Sequence, residues 1–346
     1  MKTAQRFVEQ AAACRHLGSP LYEHLLLSLA DDVERSGPTA RLLAEHFDEA
    51  QLPRLLPLRL LGGLHAAVLQ RQAPELATFY PSVGGTAPIG PDLPAAAIRF
   101  IVEHPELVRP WLARDPQTNE VGRSAVLRGG LAHAVAAARA LAGQDLDVRL
   151  MEVGASAGLN LRVDHFRIDD RGPSDSPVRL DDAWQGSPPP QSSLRIVERC
   201  GVDLHPVDPT TADGRLRLSA YMWPDDIVRW QRLAGALQVA AEVPAELIAA
   251  DALDWIETVQ PVAGTLTVIW HSVAMMYLSQ DDRERFAAAI ERVGAAATAT
   301  APLAHLRMEP DGPVTVEFPV RLRLWPDGID RLLAVAAPHG IPVHWD

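Results

Sequence analysis

The chain has 346 residues, of which 47% are hydrophobic and 22% charged, so it can form one large domain or two ordinary ones. Its formal net charge of −12 argues against nucleic acid or a membrane surface as a partner, because both need a basic surface. Lys2 is the only lysine, which excludes a P-loop, a pyridoxal Schiff base and a lysine general base in the rest of the chain.

The N-terminal segment MKTAQRFVEQ carries charges where a signal peptide would need an apolar core. Apolar runs elsewhere are too short to span a bilayer. Cys14 and Cys200 are far apart and lack metal-ligand spacing, which argues against a disulfide framework or a cysteine metal site. We therefore expect a cytoplasmic protein without a metal.

Residues 1–146 are predicted to form a helical N-terminal region that acts as a cap or substrate region. Apolar residues recur there at spacings of three and four. The predicted helices are Thr3–His16, Leu21–Arg35, Thr39–Glu49, Leu55–Gln72, Pro94–Glu103 and Arg123–Leu141. Glycines and prolines break the pattern in the loop Phe79–Pro94.

Residues 147–346 alternate between strand-like and helix-like segments, and a polar insertion, Asp169–Ser193, interrupts them. The predicted strands are Val148–Val153, Leu194–Leu204, Glu246–Ala249, Thr265–Trp270, Leu303–Met308 and a hairpin of Val314–Trp325 with Arg331–Ala336, followed by a possible strand Ile341–Trp345. The predicted helices are Ala157–Phe166, Pro224–Ala241, Ala252–Thr258 and Ser279–Val293. This alternation predicts an α/β fold with a Rossmann-like, doubly wound, mostly parallel sheet and a C-terminal antiparallel hairpin.

The segment Val148–Leu161, VRLMEVGASAGLNL, predicts a buried strand, a glycine turn and a helix start that hold a small ligand. Its GASAG turn matches the G-x-S-x-G nucleophile elbow of α/β-hydrolases, with Ser156 as nucleophile. Asp251 or Asp254, followed by His305 or His339, would keep the hydrolase order of acid and base.

The same turn also matches a degenerate acid-x-G-x-G-x-G pattern of nucleoside-binding methyltransferases. Glu152 would end the strand, and Gly154 and Gly158 would bring the backbone close to a ligand, with Ala155 and Ser156 between them. Asn160 stands where that pattern has its third glycine, and we count it among the cofactor-binding candidates.

Three observations favour the methyltransferase interpretation. A buried carboxylate such as Glu152 needs a partner, for example a cationic amino group on a ligand, whereas a hydrolase elbow has no use for it. The strand before the turn is the first strand of the chain, but a hydrolase elbow normally follows several. An upstream HGGG-like loop for an oxyanion hole is also missing.

Acidic residues follow the next two strands at the edge where doubly wound sheets bind ligands. Asp203 or Asp208 would accept hydrogen bonds from ribose hydroxyls, unless they only form a turn. Asp251, next to Ala252, would accept from an adenine amino group, unless it only caps the following helix.

Candidates for the acceptor side come from both halves of the chain. His271 follows the fourth strand and is a possible general base, with Tyr277 as a weaker candidate, although the histidine could simply be satisfied by backbone groups. Trp223 could line an acceptor pocket or could only pack.

A substrate cap is predicted from the helical region. Tyr80 and Ser82 of the glycine loop would contribute to it, together with Asn119 and Arg123 from the segment before the long helix. The alternative is that the segment QTNE only caps that helix.

The segments QTNEVGRSAVL, EVGASAGLNL, GVDLHPVD, YMWPDD and VIWHSVAMMYL together resemble the bacterial family catalogued as domain of unknown function 2332, over nearly the whole chain. The C-terminal half also resembles the class I S-adenosylmethionine-dependent methyltransferase fold. That resemblance places the strand-end acid at Glu152, the turn at Gly154–Gly158, the ribose acid at Asp203 and the adenine acid at Asp251.

From these observations we expect an S-adenosylmethionine-dependent methyltransferase, or a close relative, acting on a small molecule. The alternatives are a Ser156 hydrolase and a non-catalytic protein that keeps the fold and binds a metabolite. We expect no nucleic-acid or membrane partner, and the sequence predicts no oligomeric state.

Overall fold

The computed structural model describes residues 2–45, 47, 53, 55–312 and 317–346. Contacts between residues divide the chain into two units. Unit 1 comprises residues 1–118 and 211–231, and unit 2 comprises residues 119–210 and 232–346. The predicted division at residue 147 concerns folding domains and stays a prediction.

Unit 1 is built from helices. They are α1 (Lys2–His16), α2 (Pro20–Glu34), α3 (Pro38–Ala44), α4 (Leu56–Leu69), α5 (Pro74–Ala77), α6 (Asp92–Glu103), α7 (Pro105–Leu112), α9 (Ala212–Ala220) and the first turn of α10 (Ile227–Glu242). Prolines occupy the first turn of several of them, where a missing amide costs no hydrogen bond.

The core of unit 1 is an aliphatic cluster of helix faces. Leu25, Leu29 and Leu60 are fully buried in it. Asp225 accepts from the Ser19 hydroxyl (2.7 Å) and from the Leu21 amide (3.0 Å), so it satisfies polar groups at the start of α2.

Unit 2 contains every strand that the structure describes. It comprises α8 (Ser124–Ala142), β1 (Asp147–Val153), β2 (Arg167–Ile168), β3 (Arg179–Leu180), β4 (Trp184–Gly186), β5 (Ile196–Asp203), most of α10, β6 (Glu246–Ala249), α11 (Ala252–Ile256), β7 (Thr265–Ser272), α12 (Gln280–Ala295), β8 (Leu303–Met308), β9 (Phe318–Trp325), β10 (Ile329–Ala336) and β11 (Val343–Trp345).

Nine of these strands form one mixed sheet in the order β4-β11-β10-β9-β8-β7-β1-β5-β6. The five strands from β8 to β6 are mutually parallel, and β9 joins β8 in the antiparallel sense. β1 lies in the middle of the parallel part because β5 pairs on one side of it and β7 on the other.

Helices cover both faces of the sheet. Leu306 of β8 packs on Gly130 of α8, while its neighbour His305 contacts Phe286 of α12. Because consecutive strand residues point to opposite faces, α8 and α12 lie on different faces. His271 of β7 also contacts Phe286, so it points to the α12 face, and its chain neighbour Trp270 points to the α8 face. Glu152 of β1 lies directly beside Trp270 in the register and therefore shares the α8 face.

The prediction of an α/β fold with a mostly parallel sheet and a helical N-terminal region is confirmed. The predicted C-terminal hairpin is confirmed as β9 and β10, but it does not form the edge of the sheet. β11 pairs beyond it, and β4, which belongs to the predicted loop-like insertion, is the outermost strand. Residues 46, 48–49 and 314–316 of the predicted elements lie outside the described residues.

One predicted element is wrong. Instead of an α-helix over Ala157–Phe166, the glycine turn is followed by a short 3₁₀ helix, Leu159–His165, with a break at Arg162. α5, α7 and α9 were not predicted, since α5 has only four residues, α7 contains Pro110, and α9 is short and polar.

Within the described residues, no helix has the length and apolarity needed to cross a membrane. In the same part of the chain, histidine, cysteine, aspartate and glutamate side chains form no group of three placed to hold a metal ion.

Candidate functional site

The candidate site lies in unit 2 at the carboxyl end of β1. Glu152 is the next-to-last residue of this strand, and its side chain is on the α8 face and only 3% exposed. Its Oε2 atom is buried and has no hydrogen-bond partner among the described residues, as is also true of Nε1 of Trp270, its register neighbour on β7. A buried acceptor left without a partner is a group that a ligand can satisfy.

Burial raises the pKa of Glu152 to about 8, because the charged form loses its hydration. The nearby Asn160 amide and Trp270 indole, neither of which forms a hydrogen bond to Oε2, and the positive charges of Arg162 and Arg123 oppose the increase, but they do not cancel it. Glu152 is therefore mostly protonated at neutral pH, and a cationic partner would favour its ionised form.

Polar groups from the α8 side complete the surroundings of Glu152. The Asn160 amide oxygen accepts from the Ser124 hydroxyl (2.7 Å), and its amide nitrogen donates to the Glu120 carbonyl (3.3 Å). The Glu120 carboxylate in turn accepts from the Gly122 amide at 3.0 Å. Asn160, the residue at the third glycine position, therefore has a clear structural role in fixing the segment before α8.

The glycine turn has a left-handed backbone at three positions, with φ of 71° at Gly154, 54° at Ser156 and 62° at Gly158. Four of its amides, however, donate to groups within the protein. Those of Gly154 and Ala155 donate to the Val202 carbonyl, and that of Ser156 donates to Asp203 Oδ2 (2.9 Å).

The far end of the turn is equally engaged. The Gly158 amide donates to the Ala155 carbonyl (2.7 Å), and the Leu159 amide donates to Asn119 Oδ1 (2.8 Å). A Cβ on Gly158 would lie 2.8 Å from Leu247, so this glycine allows close protein packing. If this turn held a polar or anionic ligand group, its amides and a following helix N-terminus would face that group. Instead, the amides described above are bonded within the protein, and an α-helix does not start there.

Ser156 does not have the surroundings of a hydrolase nucleophile. Its Oγ atom is buried and lacks a hydrogen-bond partner among the described residues, so no base is positioned to take its proton. Asp251 caps α11 through a bond to the Leu253 amide (2.7 Å), and His305 is bonded to His271.

The two acids predicted to bind ribose and adenine lie after β5 and β6, which are neighbours at the same sheet edge. Asp203 uses Oδ2 for the Ser156 amide and Oδ1 for the His205 amide (2.9 Å). Asp251 is exposed and is the N-cap of α11, whose first residue is Ala252. Both carboxylates therefore have structural roles, and each has further lone pairs for a ligand.

His271, the predicted base, is only 1% exposed and is bonded at both ring nitrogens. Its Nδ1 lies 2.7 Å from Glu309 Oε1, and its Nε2 lies 2.9 Å from Nε2 of His305. The prediction that it takes a proton from an acceptor now requires one of these bonds to open. Tyr277 follows in a 3₁₀ turn and is 56% exposed.

Sequence reasoning missed Glu309 entirely and placed His305 in a different role. The available signal was weak, namely one histidine on each of two adjacent apolar strands and a glutamate just after the second strand. In parallel register, His305 is opposite Ile269, so His271 lies two residues further along the same face.

The predicted substrate residues, from the cap and from the acceptor pocket, divide between the two units. Tyr80 and Trp223 are buried in unit 1, where Tyr80 contacts the rings of Tyr22 and His65. In unit 2, Asn119 bonds the glycine turn, and Arg123 donates to the carbonyls of Pro338 and Ser272.

Residues 4–345 match the family model described as "Uncharacterized protein conserved in bacteria (DUF2332)". No curated protein matches the chain.

Proposed function

The chain belongs to the bacterial family DUF2332, and from the site in unit 2 we propose that it binds S-adenosylmethionine as a class I methyltransferase does. The observation that carries this proposal is Glu152, a buried strand-end carboxyl with an unpartnered oxygen. An ammonium group placed against Oε2 would turn an unsatisfied acceptor into a charge-assisted hydrogen bond.

The strand order supports the location. The chain places β5 and β6 on one side of β1 and then β7 and β8 on the other, as expected for a doubly wound sheet. In such sheets, ligands bind at the carboxyl edge where the strand order reverses. Glu152 lies at this edge, between Gly201 of β5 and Trp270 of β7.

The charges near Glu152 suit an amino acid group. Arg123 acts on Glu152 electrostatically and is partly buried. In the proposed complex Glu152 binds the ammonium group and Arg123 the carboxylate group of the methionine moiety. Asp203 and Asp251 would accept from the ribose hydroxyls and the adenine amino group in addition to their backbone bonds.

S-adenosylmethionine supplies an electrophilic methyl group on its sulfonium when it is bound. The protein would contribute orientation and exclusion of water, since the groups around Glu152 are buried. The glycine turn serves this role by fixing Asp203 through the Ser156 amide rather than by binding the ligand with its own amides.

Isothermal titration calorimetry with S-adenosylmethionine and S-adenosylhomocysteine tests the proposal. We expect binding of both, and loss of at least tenfold in affinity in Glu152→Gln, because the amide cannot provide the negative charge. The matched control is Glu246→Gln, which changes an exposed carboxylate on β6 and should bind as the parent does.

Proton release gives an independent readout. Near pH 7, binding an ammonium should remove the proton from Glu152, so the apparent enthalpy should vary with the ionisation enthalpy of the buffer. Absence of binding by either compound at millimolar concentration would refute the proposal. Labelling of Ser156 by a fluorophosphonate would instead support the hydrolase alternative.

A further inference from the structure

A second group of chemically active side chains lies on the opposite face of the sheet, beside α12. Glu309, His271 and His305 form a continuous hydrogen-bonded chain, with distances of 2.7 Å and 2.9 Å between successive partners. The two imidazole rings lie 5.0 Å apart, and the edge of Phe286 packs on His271. Both histidines are buried, and His305 is 7% exposed.

The positions of the protons on the two histidines follow from their hydrogen-bond partners. Glu309 also accepts from the amides of Ala274 (3.0 Å) and Met275 (3.3 Å), so it is held as an acceptor. A neutral His271 therefore carries its proton on Nδ1, and its Nε2 accepts from Nε2–H of His305. Nδ1 of His305 is then the open, proton-accepting end of the chain.

His305 lines a surface cleft between α12 and the strands β8, β9 and β10. The residues around it are Ala287, Ile290, Glu291, Arg307, Arg321, Arg323 and Asp330. One of the three arginines, Arg323, pairs with Glu291 in a two-bond contact.

The other two arginines lack such a partner. Arg307 and Arg321 lie directly opposite each other in the antiparallel β8–β9 register. Neither forms a hydrogen bond or an ion pair with another residue in the part of the chain that the structure describes. Like charges in this position repel, so an anion between them would remove a destabilising contact.

We propose that this cleft binds a phosphate group between Arg307 and Arg321, and that His305, backed by His271 and Glu309, accepts a proton when the phosphate binds. Two planar guanidinium groups match the oxygens of a phosphate dianion. The proposal is independent of S-adenosylmethionine binding, which concerns the other face of the sheet.

The proton that is taken up can be accommodated by the three hydrogen-bonded residues. A solvent proton adds to Nδ1 of His305, and the proton on Nε2 of His305 moves to Nε2 of His271. His271 is then an imidazolium that Glu309 stabilises. In the absence of an anion, burial, His271, Arg307 and Arg323 hold the pKa of His305 well below its usual value. Glu291 and Asp330 also face the cleft and partly offset the arginines.

Calorimetric titration with inorganic phosphate, near pH 8 where the dianion predominates, tests the site. We expect Arg307→Gln and Arg321→Gln each to weaken binding about tenfold. Without phosphate, these variants should unfold at the same temperature as the parent or higher, because a like-charge contact is gone. The matched control is Arg331→Gln, on β10 but outside the cleft, which should bind as the parent does.

The proton step has its own readout. Titrations in two buffers of different ionisation enthalpy should show proton uptake on binding in the parent and its loss in Glu309→Gln, with phosphate still bound. Phenyl phosphate as a second probe distinguishes the source, since tighter binding than inorganic phosphate assigns the site to a phosphomonoester. No phosphate binding, or equal weakening in Arg331→Gln, would overturn the proposal.

Discussion

Glu152 is a residue whose charge state should be visible in the stability of the protein. In the unfolded chain it ionises near its ordinary pKa of 4.5, whereas in the folded protein its pKa is about 8. Between these values folding takes up a proton, so this carboxyl makes stability fall as pH rises through the window. Below 4.5 the carboxyl is protonated in both states and contributes no pH dependence.

We predict that Glu152→Gln is more stable than the parent by a few kcal/mol above pH 8, because a neutral amide replaces a buried ionised group. Denaturant unfolding at a series of pH values measures this difference. The gain should shrink towards zero near pH 4.5. Glu246→Gln, at an exposed carboxylate, should have the free energy of unfolding of the parent at every pH. If the free energy of unfolding of Glu152→Gln changed with pH as steeply as that of the parent, the prediction would be contradicted.

At the residue level, sequence reasoning identified Glu152 because a carboxylate inside an apolar strand is conspicuous. It could not show that the turn amides are already bonded, since those bonds depend on Val202 and Asp203 from a strand beyond a long insertion. It also could not show that His271 is bonded at both ring nitrogens, because its partners His305 and Glu309 come from the neighbouring strand and its end.

Among the elements, α8 and β11 pack together closely at a glycine of the helix. Gly129 lies on α8, and a Cβ at this position would fall 2.0 Å from the Trp345 ring. Helix propensity alone would make Gly129→Ala stabilising by about 1 kcal/mol. We predict instead that it destabilises by about 1–3 kcal/mol, because a rigid indole must move.

Chemical denaturation of Gly129→Ala decides between these two signs. Gly143→Ala is a useful comparison, since Gly143 follows the same helix with φ of 70° and open space around it. That substitution should cost about 1 kcal/mol from backbone strain alone. Stabilisation of Gly129→Ala would contradict the packing described for α8.

The elements that the sequence predicted well are those with a strong local pattern. β6 and β8 have the predicted bounds, and α12 begins near the predicted start because Ser279 caps it by accepting from the Asp282 amide (3.1 Å). The prediction of an α-helix after the glycine turn was wrong. The Arg162 guanidinium donates to the Gly158 carbonyl (2.6 Å) and to the Ala157 carbonyl (3.4 Å), which are acceptors that an α-helix would need. Such a side-chain competitor for helix acceptors leaves no periodic signal.

For the whole molecule, the excess of twelve negative charges sets a general repulsion in the folded state. We predict that raising sodium chloride from about 0.01 M to about 0.15 M increases the first thermal unfolding midpoint by a few degrees, because screening weakens this repulsion. Differential scanning calorimetry in a phosphate-free buffer measures it, so that the cleft beside His305 is not occupied.

A fall in the midpoint would show that exposed ion pairs such as Arg195–Asp147 and Arg292–Glu257 outweigh the general repulsion. Sucrose at equal osmolality is the control for non-ionic effects.

The fold class followed from composition and alternation, but the strand order at the β4 edge did not, because it depends on pairing between distant segments.

That edge has a consequence for how the protein is made. Trp184–Gly186 emerges from the ribosome before β5, β6, β7, β8, β9 and β10, yet its partner in the sheet is Val343–Trp345, which is translated after all of them. The indole of Trp184 donates to the Ala125 carbonyl of α8 (2.9 Å), and α8 precedes it in the chain, so this partner is already synthesised. During synthesis this short strand can therefore bind to α8 before its partner β11 has been translated. In this order the sheet is completed from its middle outwards.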